Sequence, residues 1–146
     1  MDYSTIFVKF RHPYLRNPEI PHSMLLLTQL SFFITLWAAG IPFLVAGLVL
    51  LRRPPKEINY WYGYRTARSM KTQKNWEIAQ RYSARQMVFS GIVMMVLGML
   101  NLGVAISETT GVILGLCVLI ACSYWVFRKT ERAIVNHTKS DMNIKQ

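Results

Sequence analysis

Residues 24–51 read MLLLTQLSFFITLWAAGIPFLVAGLVLL and contain no charged side chain over 28 positions. A helix of this length extends about 42 Å, whereas the hydrocarbon core of a bilayer is about 30 Å thick. The run therefore predicts a transmembrane helix that tilts, kinks or reaches into the headgroup layer, with Pro42 as the expected kink. Arg52 and Arg53, followed by two prolines, end this first span.

Two further apolar runs follow, at about 84–106 and 111–127. Each is long enough to cross a membrane, so the predicted fold class is all-α, an integral membrane protein with three transmembrane helices. Residues 107–110 predict a tight turn, which makes the second and third spans an antiparallel hairpin. Gly111 and Gly115 form a small-residue contact motif, which packing between those two helices explains as well as a dimer does.

Small polar and thiol side chains inside the spans predict packing rather than chemistry. Thr28, Ser31 and Thr35 share one helical face and are expected to hydrogen-bond a neighbouring helix. Cys117 and Cys122 point about 140° apart on a helix, so they cannot form a disulfide with each other. We expect both thiols to be buried and to behave as small apolar side chains.

The formal net charge of +10 is confined to the segments between and around the spans. Residues 1–23 hold three Lys and Arg, residues 52–85 hold nine, and residues 128–146 hold five. The positive-inside rule therefore places the central loop and the C-terminal tail in the cytoplasm and residues 1–23 outside. Cations that flank spans indicate anionic lipid headgroups as partners and argue against nucleic acid. The predicted division is an extracytoplasmic segment 1–23 and a membrane domain 24–146, with the loop at 52–83 and the tail at 128–146.

The central loop is rich in aromatic rings and cations, which is typical of a segment lying on a membrane surface. From Thr72, the expected N-cap, apolar and small residues recur at helical spacing. This pattern predicts an interfacial helix able to run straight into the second span. The stripe comprises Trp76, Ala79, Ser83 and Met87.

The sequence contains little that indicates a catalytic site. None of the seven Asp and Glu residues lies inside a span, and no recognised nucleophile, metallopeptidase or phosphate-loop motif is present. His12, His22 and His137 are scattered along the chain, which does not favour a metal site. We therefore expect a protein that is not an enzyme and has no metal or cofactor.

Arg65 and Arg68 are the most distinctive cations of the loop. Three positions apart, they could present two guanidinium groups together to a phosphate, a carboxylate or backbone carbonyls. Alternatively, Arg65 caps helix carbonyls or pairs with Glu57 or Glu77, or the arginines contact lipid headgroups. Gly63 predicts a backbone turn that only glycine adopts easily.

An ordered motif in this loop resembles a known family. The residues that carry the resemblance are Tyr62-Gly63-Tyr64-Arg65-Thr66, Arg68-Ser69-Met70-Lys71, Trp76 and Ala79, followed by two apolar spans. Together they resemble the SdpI/YfhL family, bacterial integral membrane proteins named for immunity to a sporulation-delaying, membrane-active peptide toxin. The resemblance covers about residues 59–127. One departure is Gln80, where the family commonly has Asn.

The resemblance implies a protein of the bacterial inner membrane that acts by binding, either a membrane-active peptide or a partner. An alternative prediction is a small accessory subunit of a larger inner-membrane complex. The expected ligand- or partner-binding residues are Tyr62, Gly63, Tyr64, Arg65, Thr66, Arg68, Ser69 and Trp76.

Overall fold

The computed structural model describes residues 22–100 and 107–144, and every element in these two ranges is helical. Helix α1 spans His22–Arg52, α2 spans Gln73–Leu100, α3 spans Glu108–Ile144, and a 3-10 turn at Ser69–Lys71 precedes α2. All three α-helices are long and apolar enough to cross a membrane. The predicted all-α architecture with three spans is therefore confirmed. Residues 1–21, most of the predicted N-terminal segment, lie outside the described residues.

Helices α1 and α2 approach each other closely because glycines from both lie at their contact. A Cβ atom on Gly91 would lie 2.8 Å from the backbone nitrogen of Leu44 and 2.9 Å from the carbonyl oxygen of Gly40. A Cβ atom on Gly47 would lie 2.8 Å from Val88. Such spacing leaves no room for larger side chains, and it brings the two backbones together as small residues do in membrane helices.

Helix α3 packs on α1 through its own glycines. A Cβ atom on Gly111 would lie 2.5 Å from the Ser31 Oγ, and one on Gly115 would lie 2.7 Å from the Thr35 Cγ2. The glycine motif of α3 therefore packs against α1. The prediction that it packs against the second helix was wrong. The Thr35 hydroxyl donates to the Ser31 carbonyl of its own helix at 2.8 Å, so its predicted hydrogen bond to a neighbouring helix was also wrong.

Helices α2 and α3 run antiparallel, as predicted. The Trp125 indole donates to the Gln86 Oε1 at 3.2 Å, and the Thr138 hydroxyl lies 3.4 Å from the Asn75 Oδ1. The predicted turn at 107–110 forms the first turn of α3 instead. Ser107 caps that helix, since its Oγ accepts from the Thr110 N–H at 3.3 Å.

The two cysteines of α3 are both free. Cys122 is half-buried, but Cys117 is exposed on the outer face of the bundle. The prediction of unbridged thiols is confirmed. The prediction that both are buried was wrong for Cys117, because that face of α3 contacts neither of the other described helices.

The predicted interfacial helix is the first part of α2 and runs without a break into the span. Thr72 caps it as predicted, with its Oγ1 accepting from the Asn75 N–H at 3.2 Å. Helix α3 is 37 residues long, which corresponds to about 55 Å and exceeds the hydrocarbon core by about 25 Å. It therefore continues well past Phe127, where the third span was predicted to end.

A small core forms where the extension of α3 meets the start of α2. Trp76 and Ala79 of α2 are completely buried, and Ala133 and Ile134 of α3 are buried with them. This core lies beyond the apolar run of α3 and supports the central loop.

Candidate functional site

The loop at 53–68 contains a tight turn built by Asn59. The Asn59 Oδ1 accepts hydrogen bonds from the backbone N–H groups of Trp61, at 3.1 Å, and Tyr62, at 2.9 Å. A side chain that takes the place of a backbone acceptor in this way stabilises an Asx turn. The Tyr62 hydroxyl donates to the Arg53 carbonyl, so the turn is tied to the end of α1.

Gly63 holds a conformation that other residues adopt only with strain. Its φ angle is +108°, in the left-handed region. A Cβ atom here would lie 2.5 Å from the Gln80 Oε1 and 3.0 Å from the Pro55 Cγ. Both the backbone and the surrounding atoms therefore require glycine, and the turn predicted here is confirmed.

The next residue, Tyr64, is held by the side chain of Gln80. The Gln80 Oε1 accepts from the Tyr64 N–H at 2.7 Å, and the Gln80 Nε2 donates to the Tyr64 carbonyl at 3.0 Å. Gln80 is only 1% exposed. The amide thus gives the Tyr64 N–H its acceptor and donates one of the hydrogen bonds that the Tyr64 carbonyl receives.

Thr66 and Ser69 bond each other reciprocally. The Ser69 Oγ accepts from the Thr66 N–H at 2.8 Å, and the Thr66 Oγ1 accepts from the Ser69 N–H at 3.2 Å. The Ser69 hydroxyl also lies within 3.1 Å of the Tyr64 carbonyl and 3.0 Å of the Thr66 carbonyl, so its proton has an acceptor. Ser69 is completely buried and closes the loop onto the 3-10 turn.

Glu131, on the extension of α3, binds three residues of the motif. Its Oε1 accepts from the Tyr64 hydroxyl at 3.2 Å and from the Thr66 hydroxyl at 2.8 Å. Its Oε2 lies 3.2 Å from the Arg68 Nη1. Burial raises the pKa of Tyr64 above its ordinary value, and the negative charge and hydrogen bond of Glu131 add to this shift. One carboxylate therefore fastens the loop to α3.

Trp76 supports the loop from beneath. It is completely buried, and its indole nitrogen donates to the Pro55 carbonyl at 3.0 Å. Ser69 and Trp76 therefore lie inside the protein, although both were predicted as residues of a binding surface. Their side-chain hydrogen bonds are made to the loop itself.

Arg65 and Arg68 point to different neighbours. Arg65 donates to the Tyr60 carbonyl within the loop, whereas Arg68 pairs with Glu131 on α3. The predicted pairing of Arg65 with Glu57 or Glu77 was wrong. The acid that binds the motif is Glu131 of α3, and it pairs with Arg68. Tyr60 lies outside the helices, so Arg65 does not cap helix carbonyls either. The two guanidinium groups are not presented together.

An open pocket of about 550 Å³ lies between the loop and the end of α1. Its floor is apolar and comes from α1 and α2, whereas its rim comes from the loop and includes the Arg65 side chain. We call it the loop pocket. Its lining residues are Ala46, Val49, Leu50, Tyr62, Gly63, Tyr64, Arg65, Thr66 and Met87.

Comparison with known proteins agrees with the motif. A model of the SdpI/YfhL protein family matches residues 56–127. A curated relative, the uncharacterized protein YfhL of Bacillus subtilis (strain 168), is 42% identical over 97 residues, which covers 66% of this chain and 83% of the relative. The chain belongs to the SdpI/YfhL family. The resemblance seen in the sequence is thereby confirmed, and no significant match was found among solved structures.

Membership of the SdpI/YfhL family, together with three candidate spans, makes this a multi-pass membrane protein. The matched segment includes all eight predicted site residues, and five of them line the loop pocket. Arg68 lies instead on the side of the loop that faces α3. Whether these residues bind a ligand stays a prediction.

Two residues that organise the site were not among those predicted. Gln80 had a signal, since it stands where the SdpI/YfhL family commonly has Asn, and either residue offers an amide to the loop. Glu131 had almost no signal in the sequence, because this residue lies beyond the matched segment 56–127 and 67 positions from Tyr64. Among the described side chains, no three His, Cys, Asp or Glu residues come together in a way that could hold a metal ion.

Proposed function

We propose that this SdpI/YfhL protein acts by binding rather than by catalysis, as an immunity or signalling protein whose ligand is a membrane-active peptide. The loop pocket is the proposed binding site. The observation that carries the proposal is the pairing of an apolar floor with a cationic rim at one end of the helix bundle.

The chemistry of the loop pocket suits an amphipathic peptide. Val49 and Met87 offer apolar surface, and Arg65 stands at the rim with its side chain exposed. A peptide at a membrane surface turns its apolar side chains toward the hydrocarbon and its polar groups toward the headgroups. A guanidinium group carries five N–H donors, so Arg65 can hold the Tyr60 carbonyl and still donate to a peptide carbonyl or carboxylate.

The loop that forms the rim is held in place before any ligand arrives. Gln80 holds the Tyr64 backbone, Glu131 holds three side chains of the motif, and Trp76 holds the Pro55 carbonyl. A site that is already ordered loses less conformational entropy on binding. This supports recognition by a preformed pocket.

We propose further that the loop and the C-terminal helix face the cytoplasm of a bacterial cell. Fourteen of the 17 Lys and Arg residues lie in segments 52–85 and 128–146, and the contact of Tyr64 with Glu131 joins these segments at one end of the bundle. The positive-inside rule favours the cytoplasm for that end. A cysteine introduced at exposed Ala67, in a chain carrying Cys117→Ser and Cys122→Ser, should react with a membrane-impermeant maleimide only after cells are lysed. Labelling of intact cells would reverse the orientation.

The function is tested in cells that lack other immunity to the sporulation-delaying peptide toxin. We expect the wild-type chain to protect them. Arg65→Ala removes the rim cation and Ala46→Leu fills the pocket, so both variants should protect poorly. Arg81→Ala removes an exposed cation outside the loop pocket and should protect fully. Protection by both pocket variants at wild-type abundance, or no protection by the wild type, would contradict the proposal.

A second candidate function is an accessory subunit of a larger membrane complex. Tyr60 and Trp61 are 78% and 92% exposed, and exposed aromatic residues are enriched where proteins bind each other. Purification in mild detergent with mass spectrometry separates the two candidates. A stoichiometric membrane partner that is lost in Trp61→Ala favours the subunit, whereas a chain that purifies alone favours peptide binding.

A further inference from the structure

A second pocket, of about 330 Å³, lies on the other side of the loop, against the extension of α3. Arg68 forms one side of it, and Phe127, Arg128, Arg132 and Asn136 of α3 contribute to the other. We call it the arginine pocket. It shares no lining residue with the loop pocket.

Helical spacing concentrates positive charge in this pocket. Arg128, Arg132 and Asn136 follow one another at four-residue steps, which places them on one face of α3. Like charges four residues apart repel and destabilise a helix. The fold adds a third guanidinium, that of Arg68, opposite this pair. An anion bound among them would relieve the repulsion.

The one acid in the lining does not neutralise the pair. Both carboxylate oxygens of Glu131 are engaged, one by the hydroxyls of Tyr64 and Thr66 and the other by Arg68. Among the described residues, Arg128 and Arg132 form no ion pair. Three arginines and one glutamate leave a surplus of positive charge at the pocket.

The aromatic residues just before the pocket indicate its depth in the membrane. The Arg128 guanidinium lies 5.8 Å from the centroid of the Tyr124 ring, and the Lys129 Nζ lies 4.7 Å from that of the Trp125 ring. Tyr and Trp settle at the level of the lipid headgroups. The arginine pocket begins one turn further along α3, where lipid phosphates are found.

We propose that the arginine pocket binds a phosphate group, supplied by the headgroup of an anionic phospholipid. Guanidinium groups match phosphate oxygens with paired N–H donors, and the Asn136 amide can donate to a further oxygen. A soluble phosphate compound would satisfy the same donors, but the depth of the pocket favours lipid. This binding does not depend on the proposed recognition of a peptide in the loop pocket.

The test measures the thermal unfolding of the full chain in a neutral detergent with added phosphatidylglycerol, phosphatidylcholine or inorganic phosphate. A ligand that binds only the folded state raises the unfolding temperature. We expect phosphatidylglycerol to stabilise the wild type more than phosphatidylcholine does. Arg128→Gln and Arg132→Gln should each lose about half of that added stabilisation or more. Lys139→Gln, on the same helix but outside the pocket, should keep it.

Each outcome decides the proposal. A response to inorganic phosphate that the arginine variants lose would support the phosphate site and assign it to a soluble compound. An equal loss in Lys139→Gln would indicate diffuse surface charge and overturn the site. Equal stabilisation of the arginine variants and the wild type, or no stabilisation of the wild type by either anion, would also overturn it. Both arginines are exposed, and replacing either one relieves their mutual repulsion, so the variants should unfold at the wild-type temperature or slightly above it before lipid is added.

Discussion

The side-chain amide of Gln80 pairs with both backbone polar groups of Tyr64, at 2.7 Å and 3.0 Å. Gln80 belongs to α2 and is buried, whereas Tyr64 belongs to the loop, 16 positions earlier. The pair resembles one rung of a β-ladder, with a side chain in place of a strand. It fixes the backbone between Gly63 and Thr66 and therefore the rim of the loop pocket.

Replacing Gln80 should loosen the loop without unfolding the bundle. Gln80→Ala leaves the Tyr64 N–H unpaired and removes one of the two hydrogen bonds to the Tyr64 carbonyl, which should lower the free energy of unfolding by about 1–3 kcal/mol. Limited trypsin digestion should cut the loop faster at Arg65 and Arg68. Gln86→Ala loses one partly exposed bond to Trp125 and should show neither effect strongly. If Gln80→Ala and Gln86→Ala lost equal stability and were cut by trypsin at equal rates, Gln80 would not be the residue that holds the loop.

Gly63→Ala should destabilise the protein through both strain and contact. The positive φ angle alone is unfavourable for alanine, and we expect a loss of about 1–3 kcal/mol in unfolding free energy. Because the nearest atom to the new Cβ is the Gln80 Oε1, the double variant Gly63→Ala with Gln80→Ala should lose less than the sum of the single losses. Strict additivity would mean that the contact with Gln80 has no effect.

The pairing of Arg68 with Glu131 should contribute little by itself. The Arg68 side chain is 51% exposed, so solvent screens the pair, and a double-mutant cycle of Arg68→Ala with Glu131→Gln should give a coupling of about 0.2–1 kcal/mol. Glu131→Gln alone should lose more, because the hydroxyls of Tyr64 and Thr66 then bond a neutral acceptor. A coupling well above 1 kcal/mol would show that the pair is screened less than its exposure indicates.

The raised pKa of Tyr64 predicts a loss of stability at high pH. An unfolded tyrosine ionises near pH 10, whereas burial and Glu131 keep Tyr64 protonated in the folded state. Its contribution is therefore complete below pH 10 and declines as the pH rises above that value, since the unfolded state releases a proton that the folded state retains. We expect the unfolding free energy of the wild type to fall more steeply above pH 10 than that of Tyr64→Phe. Tyr60→Phe, which alters a tyrosine that is 78% exposed, should follow the wild type.

Gly91→Ala should separate α1 from α2. The added methyl group meets backbone atoms of Leu44 and Gly40, which cannot move aside as the end of a flexible side chain can. We expect a loss of about 1–3 kcal/mol, as for other overpacked contacts. Gly98→Ala meets the Trp37 side chain at 3.0 Å and should lose less. Equal losses in the two variants would mean that backbone contact is not the limiting factor.

The membrane architecture could be predicted because it depends on local sequence. A backbone inside hydrocarbon must satisfy its own hydrogen bonds, so an apolar run of sufficient length forms a helix whatever packs beside it. The spans, the Thr72 cap and the turn at Gly63 all follow from residues within a few positions. Helix ends were less certain, and α3 continues past Phe127 because its extension packs on the start of α2 rather than because of hydropathy.

The composition of the candidate site was predicted in part. The motif residues were identified, but Trp76 was expected on the surface and lies inside, because aromatic residues suit both a binding surface and a core. The sequence left the partner of Arg65 open among acids, backbone carbonyls, phosphate and lipid headgroups, and in the structure Arg65 binds the Tyr60 carbonyl. Charge and distance along the chain did not indicate which acid the loop would meet.

The sequence by itself determined three spans, the distribution of charge at their ends and the family motif in the loop, since these depend on composition and short spacing. Only the tertiary structure decided which residues complete the site. Hydrogen bonds act over about 3 Å and depend on direction. Gln80 and Glu131 could therefore be assigned to Tyr64 only once the helices had brought them within that distance.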